Sequence, residues 1–113
     1  SYLELEGNFD LERLNRAWQR LIDRHDMMRA IVLPDGTQQV LENVPPYQFR
    51  ILDLRGQDAE TVKAQLKDVR DRMSHQILPS DKFPLFDIQA TLLDDGRSRI
   101  HVSLDALIFD GWS

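Results

Sequence analysis

Between Leu11 and Ile22 the apolar residues Leu11, Leu14, Ala17, Trp18, Leu21 and Ile22 recur at intervals of 3, 3, 1, 3 and 1, with charged and amide side chains between them. That spacing makes one stripe on an α-helix and cannot be laid on one face of a strand. A helix apolar on one side has to be covered by a second layer, so the rest of the chain must supply one. The stripe predicts a helix over about 10–25. Asp10 stands where an N-cap is needed, Glu12 falls in the first turn, and Arg24 and His25 fall in the last, each in the sense the helix dipole favours.

The covering layer reads as strands. Tyr2–Glu6 alternates apolar and charged residues, and Gly7 and Asn8 interrupt it. Met28–Leu33 and Gln38–Leu41 are strand-like runs joined by the turn Pro34-Asp-Gly-Thr37, and after Pro45-Pro46 the run Phe49–Leu54 is extended. Asp58 is placed to cap a second helix, whose stripe is Val62, Leu66, Val69, Met73 and Ile77. Pro79 and Pro84 bracket a loop, and Phe86–Leu93 and Arg99–Leu104 flank the turn Asp94-Asp-Gly-Arg97. In the last of these strands Ile100, Val102 and Leu104 face one side, His101 and Ser103 the other. The order β-α-β-β-β-α-β-β, with strands arriving as hairpins, predicts an α/β (α+β) domain in which helices pack on a mixed sheet.

Composition bounds the function. At 113 residues, 42% hydrophobic and 29% charged, the chain has room for one core and one domain. A net charge of −5 with no lysine or arginine cluster argues against a nucleic-acid surface. The absence of cysteine excludes disulfides, thiolate nucleophiles and zinc-thiolate sites, in agreement with a cytoplasmic location. No apolar run approaches a membrane span and no signal-peptide pattern occurs. The chain enters a strand at once and stops on an apolar run containing Trp112, so both ends read as cuts through a domain. An open sheet edge beside such a terminus predicts self-association of the isolated piece.

Two carboxylates, Asp105 and Asp110, bracket the apolar tetrapeptide Ala-Leu-Ile-Phe109. On a strand they would face opposite sides about 16 Å apart, and on a helix they would be rotated away from each other. They are therefore expected to act separately rather than as a dyad or a two-aspartate metal site. A carboxylate at the end of an apolar strand calls for a buried guanidinium, and Arg29, at the change from helix to strand with Met27, Met28 and Ala30 beside it, is the expected partner of Asp110. His25, His75 and His101 have neither metal-pair spacing nor a nucleophile partner, and no phosphate loop, dinucleotide fingerprint or Gly-x-Ser-x-Gly occurs.

Three stretches together resemble the N-terminal part of a condensation-type domain of nonribosomal peptide synthetases, and specifically its heterocyclization (cyclization) variant. Arg24-His-Asp-Met-Met-Arg-Ala30 is similar to the family's Arg-His-x-Met-Leu-Arg segment, and Leu78-Pro-Ser-Asp-Lys-Phe-Pro-Leu-Phe-Asp-Ile88 to its Leu-Pro…Pro-Leu-Phe-Asp-Ile segment. Asp105-x4-Asp110-x2-Ser113 fits the Asp-x4-Asp-x2-Ser signature. Ordinary condensation domains carry His-His-x3-Asp-Gly here. Asp110 and Gly111 match that pattern, while its two histidines fall on Asp105 and Ala106.

The resemblance implies a chloramphenicol-acetyltransferase-like fold of which residues 1–113 form part of the N-terminal lobe. It implies an acyl or peptidyl thioester condensed with carrier-bound cysteine, serine or threonine and then cyclodehydrated to a thiazoline or oxazoline, as in siderophore assembly. Substrates would arrive on the phosphopantetheine arms of peptidyl or aryl carrier proteins, with no cofactor or metal bound directly. The remaining partners would be the rest of the same domain and a neighbouring adenylation domain, and the isolated piece would be inactive. Asp105, in the first histidine position, is the residue expected to work as acid or base. Asp110 is expected to be structural through Arg29, Gly111 to turn the backbone, and Ser113 to cap a further helix. The second reading is an ordinary or degenerate condensation-like domain that serves as a non-catalytic docking platform for carrier proteins.

Overall fold

The computed structural model describes residues 1–105. Strand β1 (Tyr2–Gly7) leads to helix α1 (Leu11–Arg24), and a short 3-10 turn, Asp26–Arg29, precedes β2 (Ala30–Val32) and β3 (Gln38–Val40). Next come β4 (Arg50–Asp53), helix α2 (Ala59–Ser74), β5 (Phe86–Leu92) and β6 (Ser98–Leu104). Four strands form one mixed sheet in the order β1-β6-β5-β4, antiparallel except for the parallel β4–β5 pair, and β2 with β3 makes a separate hairpin. Both caps fall where the sequence puts them: Asp10 accepts from the Arg13 N–H at 3.1 Å and Asp58 from the Thr61 N–H at 2.7 Å.

The alternation of β5 and β6 divides the sheet into an apolar and a polar face. Ile88, Ala90, Ile100 and Phe49 are buried under Leu11, Leu14 and Trp18 of α1. Ile22, Met28, Leu85 and Phe86 continue the same core toward the end of the sheet where β6 finishes. On the opposite face His101, Ser103, Gln89 and Thr91 are buried although polar, and α2 lies over them through its buried Leu66, Val69 and Met73. Arg72 of α2 donates to Gln89 Oε1 at 2.7 Å and Arg70 reaches Glu4, so this layer is joined by charge-assisted hydrogen bonds as well as by burial.

Two expected boundaries move. Met28 is not in a strand: residues 26–29 form the 3-10 turn, closed by the Met28 N–H on the His25 carbonyl at 2.9 Å, and the strand begins at Ala30. Ile77 does not belong to the α2 stripe. The helix stops at Ser74, the ring Nδ1 of His75 donates to the Asp71 carbonyl at 2.8 Å, and Ile77 is 94% exposed.

Candidate functional site

Three pieces of chain meet where β6 ends. The Asp105 N–H donates to the Leu85 carbonyl at 2.9 Å, extending the β5–β6 ladder by one residue and fixing the backbone that carries the carboxylate. Tyr2 stands opposite Ser103 across the β1–β6 pair. From the other side Ser74 and Gln76–Leu78 close the space below the end of α2. The result is a pocket of about 210 Å³ walled by Tyr2, Ser74, Ile77, Leu78, Ser103 and Asp105. Ser103 and Asp105 are two residues apart on an extended backbone, so they share a side.

A chain of hydrogen bonds holds the Tyr2 wall. The Tyr2 hydroxyl donates to Glu4 Oε1 at 2.6 Å and lies 2.9 Å from His101 Nδ1. Having given its only proton to Glu4, the phenol accepts from His101, which assigns the proton of that imidazole to Nδ1. Nε2 then accepts from the Thr91 hydroxyl at 3.2 Å. Arg70 grips Glu4 with two bonds of 2.9 Å, and Arg99 and Arg97 hold Glu6 beside it. Hydrogen bonds from Arg70 outweigh burial and hold the Glu4 carboxyl down to about 2. Burial pushes the Tyr2 phenol up, with the hydrogen bond to Glu4 adding to it, and burial pushes His101 down against the pull of Glu4.

Glu4 therefore links this layer to pH. Its folded pKa lies below the ordinary glutamate value of 4.5, so its contribution is complete above about 4.5 and is lost as pH falls through about 2. Glu4→Gln is expected to destabilise the domain near neutrality by on the order of 2 kcal/mol. Denaturant titrations across pH should show the difference between the two proteins closing on the acid side. A gap independent of pH from about 7 to about 2 would remove ionisation of Glu4 as its cause.

Arg29 lies elsewhere, under the C-terminus of α1. Its Nη1 donates to the carbonyls of Ile22 (2.5 Å) and Asp23 (3.0 Å), Nε to that of Leu41 (2.9 Å), and Nη2 to Asp26 Oδ1 (3.0 Å). With a side chain 13% exposed, it closes a helix end and ties the β2–β3 hairpin to it. Asp110, Ala106, Gly111 and Ser113 lie outside the described residues, and so does the expected Asp110–Arg29 pair.

Larger concavities also occur among the described residues. A groove of about 690 Å³ between α2 and the β5–β6 turn is lined by Lys67, Arg70, Asp71, Arg97 and Arg99, whose charges are paired, and it does not include Asp105. An apolar cleft of about 350 Å³ beside Tyr47, Phe83 and Pro84 shares Leu78 with the Asp105 pocket. No three histidine, aspartate or glutamate side chains converge on a metal position among the described residues, and no helix there is long and apolar enough to cross a membrane.

A family model described as the condensation domain matches residues 1–113. The chain belongs to the condensation-domain family. Its curated relatives include phenyloxazoline synthase MbtB of Mycobacterium sp. (strain MCS), 37% identical over 113 residues, and bacitracin synthase 1 of Bacillus licheniformis, 33% identical over 108 residues. Those alignments cover 99% and 96% of this chain but 9% and 2% of the two relatives. Among solved structures, the cyclization-docking bidomain of the nonribosomal peptide synthetase EpoB from Sorangium cellulosum superposes with a TM-score of 0.88 and 38% identity. That superposition covers 94% of this chain and 21% of the bidomain. The fold is the mixed α/β sheet architecture of condensation and cyclization domains, with only part of a full domain represented.

The sequence singles out Asp105 and Asp110 as candidates, and the structure places Tyr2 and Ser103 in the wall of the pocket that Asp105 lines. Tyr2 reaches His101 across 99 residues of sequence, a pairing no local pattern reports. Ser103 carried one signal, its place on the same side of β6 as His101.

Proposed function

We propose that this chain is the N-terminal part of a heterocyclization domain in a nonribosomal peptide synthetase, inactive in isolation. In the full domain an acyl thioester on one carrier protein meets the amine of cysteine, serine or threonine on another. The neutral amine attacks the thioester carbonyl, the carbon–sulfur bond breaks, and the departing thiolate takes up a proton. The side-chain thiol or hydroxyl then adds to the new amide carbonyl, and the former carbonyl oxygen leaves as water with two protons. Asp105 is the group in this chain suited to take a proton from the amine or deliver one to that oxygen. The observation that carries the reading is its position: the first residue of Asp-x4-Asp-x2-Ser stands at a fixed strand end in the wall of a pocket. The 38% identity to a cyclization-containing bidomain supports the same reading.

The test uses the full-length domain with an acyl-loaded donor carrier and a cysteine-loaded acceptor carrier, and weighs the acceptor-bound product by mass spectrometry. A product one water lighter than the linear amide is expected. Linear amide alone would make this an ordinary condensation domain, and no product with both carriers verified as loaded would leave a docking platform.

A further inference from the structure

Arg13, Arg16, Arg20 and Arg24 all stand exposed on α1. At about 100° per residue they fall within about 60° of arc, and at about 1.5 Å per residue the row runs about 16 Å. The sequence holds no run of basic residues, but the helix gathers these four into one. Leu11, Leu14 and Trp18 of the same helix cover the sheet, so the row faces away from it.

These are the arginines the fold leaves unused. Every other arginine in the chain has a side-chain partner: Arg29 holds the Leu41 carbonyl, Arg72 holds Gln89, and the rest pair with carboxylates. The guanidinium groups of the row make no hydrogen bond or ion pair among the described residues. Glu12 and Asp23 flank the row on one side, but the Asp23 carboxylate accepts from Gln19 at 3.0 Å and neither carboxylate is bonded to an arginine.

The row also works against its own helix. Like charges three and four residues apart weaken a helix, and Arg13 stands in the first turn, where the dipole disfavours a cation. The chain as a whole carries −5, so the row is not a sample of a generally basic surface. Unpaired guanidinium forks gathered at a cost to the helix are donors presented to an anion.

The geometry selects among anions. A nucleic-acid duplex is broader than one helix face and would meet the net negative charge of the chain. A lipid surface calls for an apolar residue to insert beside the cations, and the only uncharged exposed side chain on α1 is Ala17. A second helix fits, because its side chains repeat every three to four residues and its carboxylates can keep step with the row. Ala17, small and beside the row, lets the backbone of such a partner come close.

We propose that the outer face of α1 is a docking surface for an acidic helix of a partner protein, its carboxylates taken by Arg13, Arg16, Arg20 and Arg24. The surface lies on the far side of α1 from the sheet and shares no residue with the Asp105 pocket, so it stands apart from the heterocyclization reading.

The test is a binding measurement on the full-length domain. The probe is a helical peptide of about 20 residues, built on alanine and glutamine, with glutamates spaced 3, 4 and 4 apart as the arginines are. It is compared by fluorescence anisotropy with an isomer whose glutamates are spread around the helix. The first peptide is expected to bind at least about tenfold tighter at physiological salt, where exposed charges act only at short range. Arg16→Glu with Arg20→Glu is expected to abolish that preference, and a peptide with lysine at the two facing positions is expected to restore binding. Arg16→Gln with Arg20→Gln, which introduces no repulsion, is expected to weaken the first peptide by about tenfold and to leave the melting temperature unchanged or raised.

The proposal is overturned if the first peptide does not bind, if the two isomers bind alike, or if the lysine peptide fails to rescue the reversed variant. A melting temperature lowered by the glutamine variant would also overturn it, by showing that the row pairs with the remainder of its own domain. So would tighter binding of phosphatidylserine vesicles or duplex DNA through the same arginines, which would assign the face to a membrane or a nucleic acid.

Discussion

In the full-length domain, Asp105→Asn is expected to slow formation of acceptor-bound product, linear and cyclic together, by about 10²–10⁴-fold, the range removed with a general acid or base. Asparagine keeps the size and planarity of the side chain and loses the capacity to carry a proton. The backbone should not move, because the Asp105 N–H bond to the Leu85 carbonyl does not involve the side chain. Binding of the acceptor should suffer less than the rate, so single-turnover measurements at saturating carrier are the informative ones. A rate within about threefold of wild type, or a loss of rate matched by a loss of folded protein, would make Asp105 architectural. A loss confined to ring closure, with linear amide accumulating at the normal rate, would move its role from the amine to the departing oxygen.

The elements were legible because they rest on local chemistry. The α1 stripe, the Asp10 and Asp58 caps and the Asp94–Gly96 turn each depend on a few adjacent residues, and each stands where the sequence puts it. What the sequence hid depends on side chains meeting backbone far away. Asn15 and Gln19 fall between the apolar positions of the α1 stripe, where no pattern of neighbouring residues signals a distant partner. Yet Asn15 receives the Phe49 N–H at 2.8 Å and donates to the Tyr47 carbonyl at 2.9 Å, while Gln19 accepts from the Tyr47 N–H at 2.8 Å. These two amides stand in for a neighbouring strand along the extended segment before β4. Arg29 was recognisable as buried from its apolar neighbours, but a guanidinium does not announce whether its partner is a carboxylate or a set of carbonyls. For the site, strand alternation put Ser103 and Asp105 on one side. It could not show that Tyr2 would stand opposite Ser103.

The largest stability effect is expected at Phe86, because one ring joins the helix, the loop and the sheet. It is 1% exposed and meets three other rings edge-on, with centroids 5.3 Å from Trp18 of α1, 4.9 Å from Tyr47 and 5.8 Å from Phe83. Each such pair adds about 0.5–1.5 kcal/mol beyond burial, and the surroundings cannot collapse readily because Tyr47 is tied to the Ile88 N–H at 2.9 Å. Phe86→Ala is therefore expected to cost about 3–5 kcal/mol in the first denaturant transition of the full-length domain, with its slope unchanged. Phe86→Leu fills most of the space and loses only the ring geometry, so about 1–2 kcal/mol is expected. Since Leu85 accepts the Asp105 N–H, the alanine cavity opens one residue from the bond that positions the carboxylate, and turnover should fall at temperatures where the domain is still folded. A cost below about 1 kcal/mol for Phe86→Ala would mean that the three rings close over the vacated space, and that this core is looser than its edge-on contacts imply.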